Sequence, residues 1–194
     1  MISFSGVAAA QQRGILGKQA PQWDVTQWFQ LPDGTNDIDV GNFKGKVLYL
    51  YCFQSWCPGC HSSGFPTLKT LVDRYGEDKK VVFVAVQTVF EGHQSNTPKR
   101  GFECAKRYDL DIPFGHSGGP GQASKVMRRY RTGGTPWTVI IDAKGTVRYN
   151  DFHINPKQGA HMIDALKAEI RDGQQNKTNR QAPTDTPQAK QTDE

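Results

Sequence analysis

Lys46-Val47-Leu48-Tyr49-Leu50-Tyr51-Cys52-Phe53-Gln54-Ser55-Trp56-Cys57-Pro58-Gly59-Cys60-His61 is the stretch whose reading decides the fold. Its first half is a short apolar and aromatic run with the look of a buried strand. The segment after it, through Leu68 and Leu71-Val72, reads as a helix from about Pro58 to Tyr75. Cys57 and Cys60 therefore sit where a strand hands over to a helix N-terminus. Free backbone N–H groups and the helix dipole at that point favour a thiolate at Cys57. A thiolate is the nucleophile of thiol–disulfide exchange, and two cysteines at this spacing can close and reopen a small disulfide.

Moving outward, Val81–Val86 is an almost continuous apolar run, as expected of a strand buried on both faces. Thr97-Pro98 marks a helix start, with Thr as N-cap and Pro in the first turn, and that helix is predicted to reach about Tyr108. A short extended piece, Ile112-Pro113-Phe114, and a helical stretch, Gln122–Arg131, follow. Trp137–Ile141 is a strand, Asp142–Gly145 a turn, and Thr146–Tyr149 the returning strand of a hairpin. Asn155-Pro156 opens a last helix whose apolar positions Met162, Ile163, Leu166 and Ile170 keep helical spacing, with Gly173 as its expected end. Helices alternating with strands, then a hairpin and a closing helix, predict an α/β fold with a central mixed sheet flanked by helices. Residues 1–16 read as an irregular lead-in, 17–172 as one domain, and 173–194 as a disordered polar tail too poor in apolar side chains to offset its ordering entropy.

In this order of elements the chain resembles thioredoxin-fold proteins, and within them the TlpA/ResA-like thiol–disulfide oxidoreductases. Four pieces carry the resemblance: Gly17-Lys18-Gln19-Ala20-Pro21, Phe43–Leu48, Ser55–Cys60, and Gly133-Gly134-Thr135-Pro136-Trp137 running on to Asp142. The last two, in this order and about 75 residues apart, are the specific ones. The resemblance implies a disulfide reductase that exchanges electrons with protein or small-molecule disulfides and dithiols, resupplied by an electron-donor thiol protein. Cys57 would attack and Cys60 resolve. Trp56, Pro58 and Gly59 would shape the site, and the turn at Thr135 and a cis Pro136 would pack against the cysteines and pair with substrate backbone. No organic cofactor and no metal are implied. Proline at the start of a strand cannot donate a ladder hydrogen bond, which by itself marks Pro136 for a special role.

The chain also departs from the family pattern. Thioredoxin has a buried acid six residues before its first cysteine, where this chain has Tyr51. Pro66 falls nine residues after Cys57, one later than usual, which predicts a bulge or shifted kink in the helix. ResA-like proteins place a glutamate after the second strand, and Glu91, with His93 nearby, is the candidate proton acceptor.

The same residues admit other readings. Cys57-Pro-Gly-Cys-His61 also fits the Cys-x-x-Cys-His haem attachment pattern, and Cys57, Cys60, His61 and Cys104 supply zinc-ligand types. Both make a cofactor-carrying or metal-binding module the alternative. A peroxiredoxin-like antioxidant is a further alternative, although the Pro-x-x-x-(Thr/Ser)-x-x-Cys pattern precedes neither Cys52 nor Cys57. Cys52, in the strand, and Cys104, in a helix, read as inert buried thiols. The net charge of +5 is mild and scattered, with no basic run interleaved with aromatics, which argues against nucleic-acid binding. No apolar stretch is long enough to span a bilayer. The N-terminus as it stands lacks a basic segment and an unbroken apolar run, which reads as cytoplasmic; a removed signal peptide would make the protein periplasmic.

Overall fold

A computed structural model describes residues 14–25 and 27–181 of the chain. Six strands form one mixed sheet: β1 (Gln27–Phe29), β2 (Val47–Phe53), β3 (Val81–Thr88), β4 (Phe114–Ser117), β5 (Trp137–Ile141) and β6 (Val147–Phe152). Their spatial order is β1-β4-β3-β2-β5-β6. The β2, β3 and β4 strands run parallel, while β1, β5 and β6 each pair antiparallel with a neighbour. Four helices cover the sheet: α1 (Phe65–Tyr75), α2 (Pro98–Arg107), α3 (Lys125–Tyr130) and α4 (Pro156–Gln181).

Every residue of the central strand β2 is buried, and its alternation splits the core in two. Val47, Tyr49, Tyr51 and Phe53 join Phe65, Leu68, Leu71, Ile163 and Leu166 of α1 and α4 on one face. Leu48, Leu50 and Cys52 join Trp23, Val126, Tyr130 and Trp137 on the other. A strand covered on both sides has no polar face to show, which is why its sequence is a continuous apolar run. The cysteine pair leaves the carboxyl end of this strand, the edge where open α/β sheets place their ligands.

The sequence expectations for β2, β3, α2 and the β5–β6 hairpin match these elements. Thr97 caps α2, its hydroxyl accepting from the Arg100 N–H at 3.3 Å. Four differences have physical reasons. The three-residue strand β1 was not expected; it is too short for any periodicity and is held as an antiparallel edge on β4. The extended piece predicted over 112–114 is displaced, because the strand that pairs with β3 begins at Phe114. The end of the irregular lead-in is packed onto the domain, which its composition does not foretell: Gly14 N–H bonds the Arg131 carbonyl at 3.0 Å, and Ile15 is buried. The α4 helix does not end at Gly173. It continues to Gln181, since an exposed glycine with an α-helical backbone costs only about 1 kcal/mol and does not stop a helix by itself. The rest of the predicted lead-in, 1–13, and of the predicted tail, 182–194, lies outside the described residues.

The helix predicted over 58–75 is continuous but not regular. After Pro58 and Gly59 comes one wide π-helical turn, Cys60–Gly64, in which the Phe65 N–H reaches back to the Cys60 carbonyl. The extra residue in that turn is the bulge that the late position of Pro66 predicted. Among the described residues, no helix is long and apolar enough to cross a membrane.

Candidate active site

Cys57 and Cys60 are both thiols, 7% and 0% exposed. Cys57 is held from two sides. The Cys60 backbone N–H points at its sulfur at 3.3 Å, and its own thiol reaches the Thr135 carbonyl at 3.5 Å. The first contact comes from the helical turn itself. The second comes from the far strand, where the Thr135-Pro136 bond is cis. Pro136 packs so closely that a Cβ added at Gly59 would meet its Cδ at 3.2 Å, so a small residue at position 59 lets the two loops meet. Of the residues selected from the sequence, Cys57, Cys60, Gly59, Thr135 and Pro136 are thus drawn together. Trp56 stands at the rim, 46% exposed, with Pro58 beside it in solvent.

Cys60 lies one turn deeper. Burial pushes its thiol up to about 12, and the neighbouring Cys57 adds to this, while hydrogen bonds from the Gln54 backbone and the Tyr51 hydroxyl pull the other way. Two thiols in one short motif therefore differ in depth, Cys57 at the surface of the turn and Cys60 beneath it.

Glu91 is not among the dithiol's partners. It is exposed in the loop after β3, and the bond it makes in this region is through its backbone, whose carbonyl accepts from the Asn96 amide at 3.0 Å. None of the thiol hydrogen bonds involves it. The structure instead brings in two residues, Asn96 and Tyr108, that carry no local signal. Asn96, buried, receives the Ser55 N–H at 2.9 Å and gives its amide to Gln54 at 2.8 Å. Tyr108 meets His61 Nδ1 at 2.8 Å. These contacts cross 41 to 47 residues of chain and leave no local pattern to read.

His61 is fully engaged. Its Nε2 donates to the Ser55 carbonyl at 2.7 Å, and a carbonyl oxygen only accepts, so that nitrogen carries a proton. Its Nδ1 faces the Tyr108 hydroxyl, and the ring stacks on Tyr108. A haem-ligating histidine must offer a ring nitrogen to iron. Here one nitrogen holds the loop before Cys57 and the other is bonded to the Tyr108 hydroxyl. Among the described residues, no three His, Cys, Asp or Glu side chains are grouped to hold a metal ion.

The Redoxin family model matches residues 16–168, which spans the dithiol turn, the cis-proline strand and the first half of α4. This chain belongs to the Redoxin family. It is 26% identical over 144 residues to the thiol-disulfide oxidoreductase ResA of Bacillus cereus (strain ATCC 10987 / NRS 248), covering 74% of this chain and 73% of that one. The ResA of Bacillus thuringiensis subsp. konkukian (strain 97-27) is similar to the same extent. The crystal structure of the thioredoxin-like superfamily protein SPOA0173 is 30% identical, with a TM-score of 0.68 over 76% of this chain and 95% of that one. A thiol-disulfide isomerase from Corynebacterium glutamicum, 24% identical, shares the fold with a TM-score of 0.66 over 77% of this chain and 96% of that one. This redoxin is a TlpA/ResA-like thiol–disulfide oxidoreductase with a thioredoxin-like fold.

Proposed function

We propose that Cys57-Pro58-Gly59-Cys60 is the reactive dithiol and that it works as a disulfide reductase. The observation that carries this reading is the placement of the Cys57 sulfur between a backbone N–H and the Thr135 carbonyl at the carboxyl end of the sheet. An N–H aimed at the sulfur favours negative charge there. Cys57 attacks one sulfur of a substrate disulfide, forming the Cys57–substrate bond and releasing the other half as thiolate. Cys60, losing its proton, then attacks Cys57 and expels the second half. The substrate gains two electrons and the Cys57–Cys60 pair loses them to become a disulfide. An electron-donor thiol protein restores the dithiol. Trp56, Pro58, Gly59 and Pro136 form the walls, and the Thr135 backbone aligns the substrate chain.

A redox equilibrium titration against a glutathione or dithiothreitol couple, read by tryptophan fluorescence, tests the reading. The expected result is one reversible two-electron transition, lost in Cys57→Ser, at a potential near thioredoxin's, about −270 mV. A potential near −120 mV would make the protein an oxidant instead. Absence of any transition would refute the dithiol reading.

A further inference from the structure

Tyr51 stands on β2 directly beneath the wide turn that carries Cys60. It is 1% exposed, stacked on Phe53 at 5.9 Å and edge-on to Phe65 at 5.2 Å. Its hydroxyl makes a long bond, 3.4 Å, to the Cys60 carbonyl, which already accepts from the Phe65 N–H, and it also lies close enough to the Cys60 sulfur to act on that thiol. Buried hydroxyls normally bond at 2.7–2.8 Å, so this one has capacity to spare. The fold makes room for it. A Cβ at Gly64 would land on the Tyr51 hydroxyl oxygen, and would also meet Pro136 Cβ at 3.0 Å. A phenylalanine at 51 would keep the ring contacts without needing space for an oxygen.

We propose that Tyr51 is the thiolate-stabilising donor of the resolving step, a neutral hydroxyl shared between the Cys60 carbonyl and the Cys60 sulfur that commits to the sulfur as that sulfur ionises. This rests on the dithiol reading above and adds a role to it. Burial holds the phenol well above its usual range, so it stays protonated and donates. It therefore does not take the Cys60 proton, which passes to water or to the departing substrate thiolate. A bond to an anion is stronger than the neutral contact it replaces, and that difference is felt only while Cys60 carries charge.

The test is single-turnover reaction of the reduced protein with an aromatic disulfide, 5,5′-dithiobis(2-nitrobenzoate). Attack by Cys57 releases one coloured thiolate, and resolution by Cys60 releases the second. In Tyr51→Phe the first phase should stay within about twofold of wild type. The second should slow on the order of tenfold, with its pH midpoint moved upward. Identical second phases would overturn the role of Tyr51, as would equal slowing of both phases, which marks a structural effect. If wild type lacks the first phase, or Cys57→Ser retains it, the dithiol reading falls and this inference with it.

Discussion

Cys52 and Cys57 are five residues apart and live in different chemical worlds. Cys52 is still in β2, its thiol packed in the apolar cluster with Val84, Val86, Val126 and Trp137 on the face away from α1. Burial pushes that thiol far above its ordinary range, with a further push from Cys60. Cys57 lies just beyond the strand end, where the chain has turned and backbone N–H groups are free to point at its sulfur. The residue type is the same; what differs is whether the surrounding backbone is occupied by a ladder or available to a ligand. Under the proposed function, reactivity is thus set by where the strand stops.

The sharpest break of this comparison is a swap of losses. Cys57→Ser should reduce disulfide turnover by at least about a thousandfold, because under the proposed function it removes the nucleophile itself. Cys52→Ala should leave turnover within a few-fold, while its lost packing is felt in stability. Steady-state reduction of a disulfide substrate by both variants, with urea unfolding alongside, measures this. A Cys52 variant that folds normally but is inactive would erase the distinction.

The wide turn that follows Cys57 should itself be sensitive. Gly64→Ala places a methyl against the Tyr51 hydroxyl and Pro136. Overpacking of this kind costs about 1–3 kcal/mol. Adding Tyr51→Phe should recover only part of it, since the ring carbon bearing the hydroxyl would still lie 2.8 Å from the new Cβ. Denaturant midpoints of the two single variants and the double variant form the cycle that tests it.

The buried thiols also predict an alkaline limit to stability. Burial raises Cys104 to about 11, and raises Cys52 further, while an unfolded thiol titrates near 8.5. The native state therefore holds protons that the unfolded chain releases. The stability from this source is complete below pH ~8.5 and is lost as pH rises toward 11. Urea unfolding at pH 8, 9 and 10 should show the decline, and Cys104→Ala should flatten its slope between pH 9 and 11. An unchanged slope would mean that the thiol ionises as easily folded as unfolded.

What was legible from sequence follows the same division between ladder and loop. The β2 and β3 strands, the Thr97 cap and the Asp142–Gly145 turn declare themselves, since their signals are local: apolar run, capping residue, turn residue. The late Pro66 even foretold the π turn, because a one-residue offset in a helix has only a few outlets. The brace around the site was illegible. Asn96 meeting Gln54 and Ser55, and Tyr108 meeting His61, are contacts between side chains that only tertiary folding brings together. The β1 strand gave no signal because three residues cannot establish a period.

The smallest expected effect concerns Glu91, and it bears on how this site handles protons. A carboxylate acting as proton acceptor must lie within hydrogen-bond reach of the thiol or one water away. Glu91 is exposed, and the nearby loop is fastened by Asn96, which bonds the Glu91 backbone and not its side chain. With Tyr51 at the position where thioredoxin has its acid, no charged acceptor among the described residues contacts Cys60, and solvent or the leaving thiolate remains to take the proton. Glu91→Gln should then leave both phases of the single-turnover reaction within about twofold from pH 6 to 9, while Asn96→Ala should slow them by loosening the Gln54–Ser55 turn. A tenfold loss in Glu91→Gln with the Asn96 variant unaffected would place the acid at the dithiol during turnover and make Tyr51 a filler of space.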